Sequence, residues 1–325
     1  MAELANSSVP VMLFLCAVAA AYVCAALAAG RMLLRRFGHL PEPSRGVRLV
    51  ERASLALAGL GLLCFAYGYF VEPYWPEVSR VRVGSRKLAG AARPVRVVHI
   101  SDLHCDPRPR LEERLPEIVS AERPDLIVFT GDSINSPGGL PVLRRLMTRL
   151  ASVAPTFAVR GNWDVHYWRQ HDLFGGTGVR ELRNEAVRVD VAGASVWVAG
   201  VPFASSDAPP YDVAGAIEKA TAGVPPGDFT IFLYHTPDEI PNVAEAGRAD
   251  LYCAGHTHGG QVALPLYGAL VTLSKYGKRY ESGLHRERDT HLYVNRGLGM
   301  EGGSAPRVRF FARPEITVIE IAGGS

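Results

Sequence analysis

Seven side chains of the metal-binding type follow one another along the sequence in an order that could build a single site. They are Asp102, His104, Asp132, Asn162, His235, His256 and His258. In an extended segment, residues two apart point to the same side of the chain. The Asp-x-His pair 102–104 and the His-x-His pair 256–258 can therefore each direct two ligands toward one point. A single pair of this kind is more often part of a solvated turn, but the ordered set of seven predicts metal binding.

The segments before the first four of these side chains have the composition of buried strands. Val95–Ile100, Leu126–Thr130 and Thr156–Arg160 are short and rich in β-branched residues, and helical periodicities at 111–119 and 140–150 separate them. This β-α-β-α-β order is typical of a layered α/β domain. Open α/β sheets build their sites at the carboxyl ends of strands, and a glycine directly before three of the ligands lets the backbone turn tightly there.

Strands follow at closer spacing after about residue 182, which predicts a second sheet packed on the first. The strands predicted in this half are Val187–Val191, Ser195–Val201, Thr230–Tyr234, Leu251–Ala254, Leu270–Leu273, His291–Asn295 and Ile316–Ile321. The expected fold class is therefore α/β, with two sheets whose strand ends carry the candidate ligands.

The motifs resemble those of the calcineurin-like metallophosphoesterase superfamily, which run Asp-x-His, Gly-Asp, Gly-Asn-His, His and Gly-His-x-His. The resemblance covers about residues 94–322 and implies a four-layer α/β/β/α sandwich. Gly255–Gln261 and Arg313–Ile316 are similar to the branch of the superfamily that carries N-terminal membrane helices. The activity implied is hydrolysis of phosphate esters or pyrophosphates with two divalent cations.

The resemblance also implies how the seven side chains divide between two cations. One cation would be held by Asp102, His104 and His258, and the other by Asn162, His235 and His256, with Asp132 bridging them. Two cations about 3.5–4 Å apart can share a hydroxide and clamp the phosphoryl oxygens during in-line attack. Four imidazoles among the ligands favour manganese, iron or zinc over magnesium, which prefers oxygen ligands. Asp132, Asn162 and Asp164 would be the catalytic residues; Asp164 either orients a neighbour such as Asn162 or is a simple turn aspartate.

Trp163 stands where the superfamily pattern expects a histidine that assists departure of the leaving group. An indole cannot act as a catalytic acid, and three interpretations follow. His166 or His171 substitutes for the histidine, the domain binds metal without turnover, or the reaction needs no acid. A phosphate leaving group, with a second pKa of about 6, departs unaided at neutral pH. The third interpretation therefore favours a lipid-linked pyrophosphate such as UDP-2,3-diacylglucosamine, the substrate of a lipid A hydrolase in this superfamily. The alternative is an extracytoplasmic phosphodiesterase or phosphatase.

Two uncharged runs near the N-terminus predict membrane helices. Pro10–Gly30 has 21 residues and Ala53–Val71 has 19, and about 20 residues cross the hydrocarbon core. A signal peptide is the alternative for the first run, but no Lys or Arg precedes it. We predict a membrane anchor at 1–72, a linker at 73–93 and a phosphoesterase domain at 94–325.

The predicted location is a multi-pass position in the cell (inner) membrane, with the side of the domain left open. Six arginines between the two runs place the connection in the cytoplasm and the domain outside. Arg80, Arg82, Arg86 and Lys87 after the second run favour the opposite arrangement.

The remaining charges exclude some partners. Outside the first 71 residues, basic and acidic residues number 29 each, so the domain is neutral and nucleic acid is not an expected partner. The five cysteines are too few for a disulfide framework, and we expect them to be small buried apolar residues. The expected partners are the bilayer and a phosphorylated, lipid-linked substrate. The sequence leaves the oligomeric state open.

Overall fold

Two long helices open the chain. The computed structural model describes residues 2–203, 212–301 and 307–324, with side chains from residue 9 onward. The first helices are α1 (Ala2–Arg36) and α2 (Arg45–Phe70). They pack against each other, and Arg35 of α1 donates two hydrogen bonds of 2.7 and 2.8 Å to the carboxylate of Glu51 in α2. Both helices are long and apolar enough to cross a membrane, and most of their apolar side chains are exposed.

Five shorter helices follow in the described part of the chain. They are α3 (Leu115–Ala121), α4 (Leu140–Ala151), α5 (Asn162–His166), α6 (Val213–Thr221) and α7 (Ile240–Ala246). In α4 the buried residues Leu143, Leu146, Met147 and Leu150 occupy positions i, i+3, i+4 and i+7. This spacing forms one apolar stripe, which packs on the adjacent sheet.

The strands alternate with these helices and then follow one another closely. They are β1 (Glu77–Ser85), β2 (Val95–Ile100), β3 (Leu126–Phe129), β4 (Thr156–Ala158), β5 (Arg180–Glu181), β6 (Glu185–Val191), β7 (Ala194–Gly200), β8 (Phe229–Leu233), β9 (Leu251–Ala254), β10 (Ala263–Leu264), β11 (Gly268–Ala269), β12 (Gly283–Glu287), β13 (Thr290–Val294) and β14 (Glu315–Gly323). The predicted bounds of β2 and β9 agree with the structure residue for residue.

The strands form two six-stranded sheets and one short hairpin. The first sheet has the order β1-β14-β2-β3-β4-β5, in which β2 to β5 are parallel and β14 is antiparallel to β2. The second has the order β12-β13-β9-β8-β7-β6, with β7, β8, β9 and β13 parallel. The hairpin consists of β10 and β11.

Three apolar cores hold four layers together. One core lies between α3, α4 and the first sheet, a second between the two sheets, and a third between the second sheet and helices α6 and α7. Val97 of the first sheet and Ile231 of the second both lie in the middle core. Each sheet is therefore covered on both faces, by the other sheet and by helices. The predicted four-layer α/β/β/α sandwich is confirmed.

Two sequence predictions need correction. The segment 73–93 is more than a linker, because β1 pairs with β14 along its whole length; Arg80 and Arg82 on this edge strand are exposed and weaken its apolar pattern. The run Leu270–Leu273 is not a strand. The chain turns back on itself just before it, and Leu270 donates its N–H to Val262 beside the β10–β11 hairpin, after which the backbone leaves the ladder.

Candidate functional site

The seven candidate ligands all lie just beyond the carboxyl ends of parallel strands. Asp102 and His104 follow β2, Asp132 follows β3, Asn162 begins α5 after β4, His235 follows β8, and His256 and His258 follow β9. The first three of these strands belong to one sheet and the last two to the other. The same edge of both sheets therefore supplies the side chains, and the structure brings all seven predicted positions to that edge.

Six of the seven side chains form two compact groups. Asp102, His104 and His258 offer ligand atoms within 4.8 Å of one another, and so do Asp132, His235 and His256. The Oδ2 atom of Asp132 is 3.3 Å from Nε2 of His235 and 3.5 Å from Nε2 of His104, so this carboxylate faces both groups. The arrangement could hold two neighbouring cations.

Two of the histidines are oriented by hydrogen bonds from the ring nitrogen that faces away from the site. His235 donates from Nδ1 to the carbonyl oxygen of Thr130 at 2.6 Å, and His104 pairs through Nδ1 with Oδ1 of Asn135 at 3.0 Å. Histidines that bind metals are commonly held in this way, with the other nitrogen free for the cation. Nε2 of His104 and Oδ1 of Asn162 are buried without a hydrogen-bond partner in the described part of the chain. A bound cation would satisfy both atoms.

The backbone at the site is strained and tightly packed. Asp102, His104, Asp132, His256 and His258 all have positive φ angles, between 43° and 71°. Such conformations cost non-glycine residues about 1–3 kcal/mol each and persist where the surrounding structure enforces them. A Cβ atom on the glycine at position 255 would collide with Oδ2 of Asp102, and one on the glycine at 161 with Oδ1 of Asp132. The glycines allow the ligand-bearing loops to approach each other.

The electrostatics of the site favour bound cations. Burial raises the pKa of Asp102 to about 7 and lowers the pKa of His104 to about 4. Burial also opposes the charge of Asp132, but His235 outweighs it and lowers the pKa of Asp132 to about 2. In the same way the charges of Asp132 and Asp102 overcome burial and raise the pKa of His235 to about 9. Buried carboxylates with so little solvent are stabilised by positive charge, which divalent ions supply.

Asp164 orders the backbone around the site. Its carboxylate accepts hydrogen bonds from the N–H groups of Gly161, Asp132 and Ser133 at 2.9–3.0 Å, and from the Ser133 hydroxyl at 3.1 Å. Burial, and then the charge of Asp132, raises the pKa of Asp164 to about 6. The carboxylate ties the loop after β3 to the loop after β4. Asp164 therefore positions Asp132, and its contacts are with backbone groups and one hydroxyl.

Trp163 fills space directly beside the first group. Its ring meets the imidazole of His104 edge to face, with centroids 5.2 Å apart. The side chain also lies close enough to Glu301, a residue that the sequence analysis did not single out, to lower the pKa of its carboxyl, although burial raises that pKa more. His166 is exposed and packs on Phe203. Among the described residues, neither ligand group includes it.

His171 is also placed away from both groups. Its ring packs edge to face on Trp168, with centroids 5.8 Å apart. Within the described residues it belongs to neither group of potential ligands. The structure therefore brings neither of the two proposed substitute histidines, His166 or His171, among the candidate ligands.

Three further residues of the site carry no sequence motif. Asn135 orients His104, and Glu301 lies near Asp132, whose charge adds to burial in raising the pKa of Glu301. Arg309 is fully buried, and its guanidinium lies 3.4 Å from Nδ1 of His258. Each reaches the site through a contact far away in sequence, so no local pattern could have indicated it.

Comparison with known proteins places these motifs in a family. A profile described as "Calcineurin-like phosphoesterase" matches residues 95–260. The chain is 30% identical over 270 residues to the uncharacterized metallophosphoesterase YkuE of Bacillus subtilis. The matched region covers 79% of this chain and 89% of YkuE. The chain is also 30% identical to the phosphodiesterase YaeI of Escherichia coli, over 79% of this chain and 92% of YaeI. Similarity to the UDP-2,3-diacylglucosamine pyrophosphatase LpxG of Chlamydia muridarum is 25% identity, over 81% of this chain and 94% of LpxG.

Proposed function

Because this chain belongs to the calcineurin-like phosphoesterase family, whose members are phosphoester hydrolases that use two divalent metals, we propose that it is a membrane-anchored hydrolase of a lipid-linked pyrophosphate. The two apolar helices support the anchor. The observation that carries the substrate class is the indole of Trp163, which packs on His104 where the family pattern has a histidine.

We assign the ligands as the two groups suggest. Asp102, His104 and His258 would hold one cation and Asn162, His235 and His256 the other, with the carboxylate of Asp132 facing both. When bound, the cations polarise the phosphoryl group and activate a water molecule for attack. Asp164 keeps Asp132 in place through the backbone, and the bonds to Thr130 and Asn135 keep two imidazoles in the tautomer that binds metal.

The leaving group decides whether the missing histidine matters. General acid catalysis is worth about 10²–10⁴-fold, and its value is greatest for a poor leaving group such as an alkoxide. Trp163 supplies no such acid, whereas a nucleotide phosphate leaves without protonation. UDP-2,3-diacylglucosamine, named in the description of LpxG, is a compound of this class and is proposed here as a model substrate.

The substrate class is tested by comparing two compounds with purified full-length protein. We expect a UDP-linked acylated glucosamine to be hydrolysed faster than a simple alkyl phosphodiester. Trp163→His should raise the rate on the alkyl diester more than the rate on the UDP compound, while Trp163→Phe, which supplies no acid, should raise neither. Faster cleavage of the diester by the wild-type protein would exclude the pyrophosphate proposal.

Enzymatic turnover is tested at the bridging carboxylate. Asp132→Ala removes the side chain that faces both groups, and we expect hydrolysis to fall by about a hundredfold or more, since metal catalysis contributes several kcal/mol. Metal content and rate are measured on the same preparation. A wild-type protein that retains two metals but hydrolyses no member of a phosphoester panel would instead be a metal-binding domain without turnover.

A second candidate function follows from the charge distribution. Six arginines between the two uncharged runs, in the last turns of α1 and the first turns of α2, favour a cytoplasmic position for this region, which would put the domain on the other side of the membrane. The substrate would then be an extracytoplasmic lipid phosphodiester or phosphomonoester. A C-terminal reporter that is active only outside the cytoplasm separates the candidates. Activity of that reporter supports the second candidate, and activity of a cytoplasmic reporter supports a UDP-linked substrate.

A further inference from the structure

Helix α2 enters the domain at the edge that carries the candidate ligands. Glu77, at the start of β1, pairs with Glu315 of β14, and Thr317 of β14 pairs with His99 near the end of β2. The start of β1 therefore lies at the carboxyl end of β2, where Asp102 follows. Because only a short segment separates α2 from β1, the anchor and the site share one edge of the sandwich.

Hydrogen bonds join the end of α2 to the segment before β14. The carbonyl of Gly68 accepts the N–H of Arg309 at 2.9 Å. The carboxylate of Glu72 accepts the N–H groups of Phe311 and Ala312 at 3.0 and 2.6 Å. Glu72 is buried. These bonds hold the domain in a defined position relative to the helix.

The β10–β11 hairpin is attached to the same segment and carries an apolar tip. Ala263 of the hairpin donates its N–H to the carbonyl of Phe310 at 2.8 Å, and Phe310 packs on Tyr67 of α2. Leu266 at the tip is fully exposed, and Tyr267 is 45% exposed. Leu266 and Tyr267 thus present adjacent apolar surface at the tip of a hairpin whose base is joined, through Phe310, to helix α2.

Aromatic and basic side chains lie at this tip and in the segments that follow and contact the end of α2. Tyr74, Trp75 and Phe311 are 47%, 53% and 59% exposed. The ammonium of Lys278 lies 3.9 Å from the ring centroid of Tyr267, and the guanidinium of Arg313 lies 4.2 Å from that of Trp75. Aromatic rings and cations of this kind are enriched where proteins meet the headgroups of a bilayer.

We propose that the β10–β11 hairpin docks on the lipid bilayer, with Leu266 and Tyr267 inserted at the level of the headgroups. The inference rests on the membrane anchoring in the proposed function. It adds the surface by which the domain would contact the bilayer that holds a lipid-linked substrate. The turn that contains His258 directly precedes the hairpin, and Gly260 of that turn packs closely on Ala269. A phosphate on a lipid can thus reach the site while its acyl chains remain in the bilayer.

The depth of the hairpin is measured in the full-length protein. The protein is placed in vesicles of phosphatidylethanolamine and phosphatidylglycerol, with the three helix cysteines changed to alanine and a nitroxide attached to Leu266→Cys. Cys105 and Cys253 are fully buried and do not react. The matched control is Asp289→Cys, a fully exposed residue at the turn between β12 and β13. That turn lies at the opposite edge, because β13 starts there and runs parallel to β9.

We expect the label at position 266 to be relaxed more by oxygen, which partitions into lipid, than by a water-soluble nickel chelate. The label at position 289 should show the reverse. Flotation of the vesicles reports the anchor separately. A protein that floats but whose position 266 behaves like position 289 overturns the hairpin inference and leaves the proposed function intact. A protein that does not float overturns the anchor and the hairpin inference together.

Leu266→Glu connects the hairpin to turnover. We expect it to reduce hydrolysis of the UDP-linked acylated glucosamine in vesicles by about tenfold, the effect of removing one leucine from an apolar contact. Hydrolysis of the water-soluble bis(p-nitrophenyl) phosphate should stay unchanged. Equal losses on both compounds would mean that the residue acts on the site itself and would contradict a lipid contact.

Discussion

Asp164 shows how one residue without a ligand role can determine the geometry of the candidate site. It is fully buried, and the groups that donate to its carboxylate belong to the loops after β3 and β4. A carboxylate offers four acceptor positions, whereas an amide offers half as many and adds two donors. Replacement by asparagine therefore turns at least one favourable contact into a repulsion between donors.

We predict that Asp164→Asn weakens metal binding and lowers activity by about 10–100-fold, the range typical of residues that orient metal ligands. Metal affinity is measured by titration of the metal-free protein. Asp190→Asn is the matched control, because the Asp190 side chain is largely exposed and far from the ligands in the second sheet. Equal affinities for Asp164→Asn and wild type would contradict the positioning role.

At the level of elements, the junction between α2 and the domain depends on one buried carboxylate. Glu72 lies just after α2, and its two carboxylate oxygens accept two backbone N–H groups from the segment before β14. A buried N–H without an acceptor costs about 1–3 kcal/mol. Hydrogen bonds whose loss would destabilise the folded state therefore hold the junction, together with the contact of Tyr67 with Phe310.

We predict that Glu72→Ala lowers the free energy of unfolding of the domain by about 1–3 kcal/mol, because the buried N–H of Ala312 loses its acceptor, while the N–H of Phe311 is partly buried and adds less. Glu72→Gln keeps one carbonyl oxygen and should lose less. The measurement is thermal unfolding in detergent, followed by circular dichroism. Glu42→Ala, at a carboxylate that is 82% exposed, is the control and should leave the midpoint unchanged. A loss for Glu72→Gln as large as that for Glu72→Ala would argue against the bonds.

At the level of the whole molecule, the positions of the candidate ligands would let bound cations join the two sheets. The candidate ligands come from both sheets, so bound metal would add to the contacts that already join these loops, such as the hydrogen bond from His235 to the carbonyl of Thr130. A ligand that binds only the folded state stabilises it, by about 2.7 kcal/mol when its free concentration is 100 times Kd. Metal loading should therefore stabilise the entire sandwich.

We predict that a chelator lowers the thermal midpoint of the full-length protein and that added manganese or zinc restores it. The size of the shift should grow with the logarithm of the metal concentration. Asp132→Ala should respond much less, because it lacks the carboxylate that faces both groups. A midpoint that is indifferent to chelator, in a protein shown to have lost its metal, would contradict this link.

Local pattern in the sequence was sufficient for much of the fold and for most of the site. Buried strands such as β2 and β9 are apolar along their whole length, and the ligands directly follow them, so both were readable from neighbouring residues. β1 was missed because an edge strand pairs on one side only and carries exposed arginines. The residues missed at the site, Asn135, Glu301 and Arg309, belong to no motif.

Only the tertiary structure decided which distant groups meet. The pairing of β1 with β14 brings the end of α2 to the edge of the site, and nothing near position 72 in the sequence indicates that Glu72 binds the segment at 311–312. The exposure of Leu266 likewise points to a membrane contact only because the structure joins its hairpin to that helix through Phe310. The physical reason is the distance along the chain over which each effect acts. The periodicity of apolar residues reflects local backbone geometry, whereas these contacts depend on how the two sheets and the helices pack.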